Sequence, residues 1–160
     1  MISILYTFMP VRLVGDHPDV ATSFYNIGLV YKKKGDFENA LSQYQKALEI
    51  RTRVFGSDHP DVATSLMNVG NVLQTMVKYE EALVQHQKSL DIKIRVFGSE
   101  HPDVATSFNN IGLVYETKGD YENALVQYQK GLEIQTRGFG SDHPSVADSK
   151  YTQPSLLFFC

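Results

Sequence analysis

A chain of 160 residues, 42% hydrophobic and 21% charged, has the length of one ordinary domain and the make-up of a folded protein, which argues against a multidomain enzyme and against a disordered tail. A formal net charge of -3 gives no broad basic field, so nucleic acid is not an expected partner; the single cysteine, Cys160, allows no internal disulfide, which fits a reducing, cytoplasmic address. The longest apolar run, residues 156–160, falls far short of the roughly 20 residues a membrane helix needs, and no basic residue precedes Arg12, so neither a membrane partner nor a secretory leader is expected.

Residues 1–15 read as the remnant of a preceding helix, with Val11 to Val14 its last apolar stretch before Gly15. From His17 the chain repeats itself. The string HPDVATS recurs at His17, His59 and His101, and a partial copy, HPSVADS, begins at His143. The period is 42 residues, and units 17–58 and 101–142 agree at 34 of 42 positions, so one structural unit is stacked on itself. In the first unit Pro18 and Asp19 mark a helix start, and Phe24, Ile27, Gly28 and Tyr31 follow at the spacing of one helical face. Gly35 ends that helix and Asp36 caps the next, whose stripe is Phe37, Ala40, Leu41, Tyr44 and Leu48, ending at Phe55-Gly56. Units 59–100 and 101–142 repeat this grammar; 143–149 begin a fourth first helix, and 150–160 form a tail outside the repeat. Gly28, Gly70 and Gly112 sit inside helices at a cost of roughly 1 kcal/mol each, which close approach of a neighbouring helix offsets; Ala40, Ala82 and Ala124 are the expected matching small surface.

The series Phe24, Ile27, Gly28, Tyr31, Ala40, Tyr44, Ala47, repeated as Phe108, Ile111, Gly112, Tyr115, Ala124, Tyr128, resembles the tetratricopeptide repeat over residues 16 to about 149. The 42-residue period and HPDVA linker are similar to those of kinesin light chains and nephrocystin-3-like proteins. The resemblance implies an all-α fold, a right-handed superhelical solenoid of stacked antiparallel helical hairpins. Departures are Leu66 and Leu73 in place of aromatics, Val77 in place of the loop glycine, and Gly131 in place of alanine; they are expected to loosen local packing without changing the fold.

Candidate chemistry is sparse. Equivalent points on stacked helices lie at least roughly 8–10 Å apart, so His17, His59, His101 and His143 cannot converge on one metal and read as turn and helix-start residues. His86 replaces an aromatic in a packing stripe and reads as a core or boundary side chain. Ser57, Asp58 and His59 carry the letters of a hydrolytic triad, but adjacent linker residues do not face one another across a site. No catalytic residues, metal or cofactor are expected.

The face of each first helix left over from packing is more informative. It comprises Thr22, Tyr25, Asn26, Leu29 and Lys33, then Thr64, Met67, Asn68, Asn71 and Thr75, then Thr106, Asn109, Asn110, Leu113 and Thr117. Asn26, Asn68 and Asn110 form a ladder one repeat apart. The resemblance implies a concave groove in which such asparagines hold the main chain of a bound peptide, so the expected function is a non-catalytic adaptor for a peptide segment of another protein. The basic residues by which kinesin light chains accept acidic cargo are thin, with Lys32 and Lys33 in one unit only. The alternative is a structural or sensor array within a larger signalling protein, without a ligand of its own. Uncapped ends leave apolar faces open to self-association.

Overall fold

The computed structural model describes residues 17–139; the expected preceding helix, His143, the fourth first helix and the tail lie outside them. Six helices follow in order: α1 (Pro18–Lys33), α2 (Phe37–Phe55), α3 (Pro60–Thr75), α4 (Tyr79–Phe97), α5 (Pro102–Lys118) and α6 (Tyr121–Phe139). α1 packs on α2, α3 on α4 and α5 on α6 as hairpins, and α2·α3 and α4·α5 join each hairpin to the next, giving an all-α repeat solenoid.

The HPDVA string works as a helix start through its histidine. The Nδ1 atoms of His17, His59 and His101 accept the amide hydrogens of Asp19, Asp61 and Asp103 at 3.2, 3.1 and 3.1 Å, which satisfies one of the orphan donors at each first-helix N-terminus. The His59 and His101 rings also stack on Phe55 and Phe97, at centroid distances of 4.4 and 4.6 Å. The end of one second helix is thereby tied to the start of the next first helix. An ion pair reinforces each of these linkers, Arg95 to Asp58 at 2.6 Å and Arg137 to Glu100 at 3.3 Å.

Gly28, Gly70 and Gly112 are sites of close approach, but the neighbour is a ring and not the alanine surface the sequence suggested. A Cβ on Gly28 would stand 2.7 Å from the Tyr44 ring, one on Gly70 would stand 2.8 Å from His86 Nε2, and one on Gly112 would stand 2.8 Å from the Tyr128 ring. Each hairpin closes by laying a flat side chain of the second helix on the bare backbone of the first. Ala40, Ala82 and Ala124 are buried elsewhere in the same core. The central core joins Tyr44, Val69, Val72, Leu73 and Val114, so the middle unit is held from both sides. On α1 the corresponding face is open among the described residues: Val30 is 58% exposed, whereas Val72 and Val114 are fully buried.

Candidate functional site

The leftover face of the first helices runs along α1, α3 and α5, and its fifteen side chains do not share one role. Thr22, Thr64 and Thr106 turn their hydroxyls back to the carbonyls of Pro18, Pro60 and Pro102, four residues earlier, at 3.2, 3.1 and 3.2 Å. Asn26 is exposed; Asn68 and Asn110 are half-buried. Asn68 Nδ2 donates to the Thr64 carbonyl at 2.9 Å, so one amide hydrogen is used within α3, while Oδ1 and the second hydrogen stay available to a partner. Lys33, Thr75 and Thr117 are exposed, and Leu113 presents apolar surface at 45% exposure.

Other members of the stripe lean into the hairpin. Tyr25 packs 5.6 Å from the Tyr44 ring and lies 5.5 Å beneath the Arg51 guanidinium; Leu29 packs on the central core. Met67 and Asn71 are half-buried, and the Asn71 carbonyl accepts the Thr75 hydroxyl at 3.0 Å. Asn109 turns toward α6, and a Cβ on Gly131 would overlap its Oδ1. Gly131, read from the sequence as a loosening substitution, makes room for Asn109, which stands where the other units carry Tyr25 and Met67. Asn109 Oδ1 is buried without a hydrogen-bond partner, as are Tyr44 Oη and His86 Nε2.

Gln74 belongs to this surface and was not legible in the repeat, because its equivalents are Lys32 and Glu116. Its Nε2 donates to the Leu113 carbonyl at 3.3 Å and to the Thr117 hydroxyl oxygen at 3.1 Å, crossing from α3 to α5. Between the same two units, Lys118 of α5 pairs with Glu80 of α4 at 2.6 Å. Glu116 instead accepts the Tyr128 hydroxyl at 2.5 Å; burial, then that hydrogen bond, push the phenol well above its ordinary range. Burial likewise raises the Tyr44 phenol. It lowers the His86 imidazole to about 4, with Lys93 adding to the effect, so this core ring is neutral at physiological pH. Lys93, itself buried and depressed by desolvation, donates to the Asp103 carbonyl at 3.4 Å. Among the described residues no three His, Cys, Asp or Glu side chains come together as metal ligands, and no helix is long and apolar enough to cross a membrane.

The tetratricopeptide repeat family model matches residues 19–94, 66–137 and 103–152. The chain belongs to the tetratricopeptide repeat family. Its structure is similar to that of BtubC (BKLC) from P. vanneervenii, with a TM-score of 0.70 and 28% identity, over 81% of this chain and 51% of that one. It also resembles the kinesin light chain-type protein of Podosopora anserina with nearly identical TPR-like repeats, with a TM-score of 0.74, 22% identity, and 88% and 66% of the two chains covered. The N-terminal domain of stress-induced protein-1 from C. elegans shares the fold at a TM-score of 0.62 and 19% identity, over 84% of this chain and 94% of that one. This tetratricopeptide array thus spans about half the length of BtubC and about two thirds of the fungal protein. No curated protein matches it in sequence.

Proposed function

We propose that this tetratricopeptide array is a non-catalytic scaffold for protein contacts whose first-helix surface binds an extended peptide of a partner protein. The observation that carries the reading is the asparagine ladder: three amides at one repeat position, on three parallel first helices, with hydrogen-bonding capacity left over after their contacts within the fold. An extended peptide offers carbonyls and amide hydrogens at regular spacing, which such amides can accept from and donate to. Leu113 and the half-buried Met67 supply apolar area for side-chain selection, and Tyr25, pinned by Tyr44 and Arg51, offers a ring edge held in place in advance. Among the described residues the α1 face around Ile27 and Val30 is open, and end-to-end association of copies through it is a further reading.

The test compares the wild-type chain with the double variant Asn68→Ala/Asn110→Ala in a pull-down read by mass spectrometry. The expected outcome is a set of partners kept by the wild type and reduced at least tenfold with the variant, whose far-UV helicity is unchanged. Equal retention by both chains defeats the groove reading. The ladder is then packing, and the array serves as a structural element of a larger protein.

A further inference from the structure

Leu66 stands where the first and third units carry Phe24 and Phe108. In those units the ring lies beneath a lysine of the second helix: Lys46 Nζ is 5.4 Å from the Phe24 centroid, and Lys130 Nζ is 5.5 Å from that of Phe108. Phe108 packs on a cluster that includes Leu90, Val104 and Ile134. One period earlier the same walls are Leu48, Val62 and Ile92, and the same lysine is Lys88. All four line a surface cavity of about 380 Å³ with Leu66. The cavity opens between α2 and α4, and none of the first-helix stripe residues lines it.

We propose that this cavity is a binding site for one aromatic side chain of a partner polypeptide, seated on Leu48, Val62, Leu66 and Ile92 with the Lys88 ammonium over its face. The repeat itself points to ring chemistry, since in both sister units the valine, isoleucine and lysine of these positions (Val20, Ile50 and Lys46; Val104, Ile134 and Lys130) gather around a phenylalanine. Leucine is shorter and non-planar, so it leaves the outer part of that space empty. The buried part of the lining, Val62, Leu66 and Ile92, is apolar and would strip a polar guest of its hydration, whereas the polar lining residues Thr52, Ser57, Asp58, Asp91 and Arg95 lie toward solvent, with Asp58 and Arg95 already paired to each other. An aliphatic guest would fill the volume but forfeit the attraction between the ammonium and a π face. At roughly 300–1,000 Å³ for ordinary ligand pockets, the cavity is in the range that holds a ring and its backbone attachment. The site is independent of the asparagine ladder, so the failure of either proposal leaves the other standing.

The test is a methyl NMR titration of the full chain with N-acetyl-phenylalaninamide, using N-acetyl-leucinamide as the aliphatic control. Saturable ring-current shifts are expected at the methyls of Leu48, Val62, Leu66 and Ile92, with weaker binding of the leucyl probe. Leu66→Phe, which restores the residue of the sister units, should abolish the shifts. Lys88→Gln, a surface change that keeps the measurement informative if Leu66→Phe misfolds, should weaken binding roughly two- to fivefold. No saturable shift, equal binding by Leu66→Phe, or a leucyl probe that binds as tightly overturns the proposal. Nuclear Overhauser contacts from Phe158 or Phe159 to those methyls in the free protein would also overturn it, by giving the cavity to the chain's own end.

Discussion

The middle hairpin and its two neighbours follow the same backbone path with different means. In the outer units the turn between helices is Lys-Gly-Asp, at residues 34–36 and 118–120; Gly35 and Gly119 take φ of 77° and 88°, and Asp36 and Asp120 accept the amide hydrogens of Asn39 and Asn123 at 3.2 Å. The middle turn is Met76-Val77-Lys78. Val77 adopts the same left-handed region at φ 62°, and Lys78 places no side-chain acceptor over the start of α4. A β-branched residue there pays the crowding of its Cβ against the carbonyl, and the first turn of α4 loses a cap. The core differs as well, with His86 in place of Tyr44 and Tyr128. The path survives because packing dictates it: Val69, Val72 and Leu73 of α3 lie in a core shared with α2 and α5, and helices in proteins draw most of their stability from such contacts. Turn chemistry is therefore dispensable where neighbours cover both sides of a hairpin.

Reverting the middle unit toward its neighbours sharpens this comparison, and the largest effect is expected at His86. Its folded-state pKa of about 4 lies below the ordinary 6.5, so the unfolded chain binds the extra proton first as pH falls. The stability tied to its neutrality is fully present above pH 6.5 and drains away toward pH 4, by up to about 3 kcal/mol. His86→Tyr would place over Gly70 the kind of ring that Tyr44 lays over Gly28, and should flatten the wild-type slope in urea titrations between pH 7 and 4.5. Parallel slopes in the two proteins would remove His86 as the source of acid sensitivity.

A smaller gain is expected from Val77→Gly. Relief of the left-handed strain, about 1–2 kcal/mol, is partly offset by the greater freedom of glycine in the unfolded chain, leaving a net gain of about 1 kcal/mol. Chemical denaturation midpoints measure it, and no gain would mean that the middle turn relaxes its strain elsewhere. Lys78→Asp should add least, about 0.5 kcal/mol, at the low end for a restored cap. In the outer units the residue three positions on is Asn39 or Asn123, whose amide also donates to the capping aspartate at 2.8 Å; in the middle unit it is Glu81, which repels it. Combining Lys78→Asp with Glu81→Asn should recover the full increment of about 1 kcal/mol.

Much of the fold was legible because the repeat states it three times. Pro18-Asp19 and its copies mark helix starts, and the glycines at 28, 70 and 112 demand a close neighbour whatever that neighbour is. What spacing along one helix cannot give is depth. Tyr25 and Asn109 share a face with Asn26 and Asn110, yet Tyr25 packs on Tyr44 and Asn109 fills the room left by Gly131, because the second helix decides how far each side chain leans inward. Gln74 escaped notice for a related reason: its contact is with α5, and a residue that bridges units need not resemble its counterparts. The cavity beside Leu66 was half-visible, since the missing aromatic was plain in the sequence. The empty volume was not, because a neighbouring side chain could have moved to fill it.

The linkers carry one last implication. The ties that recur at each junction, the imidazole cap with its Phe partner and the arginine from the following second helix, run only between adjacent units. A stretch of 42 residues can be duplicated or lost in a gene without orphaning any of these bonds, so the length of such an array is open to change by recombination while its pitch is not. A partner that reads two neighbouring units would meet the same spacing in arrays of any length.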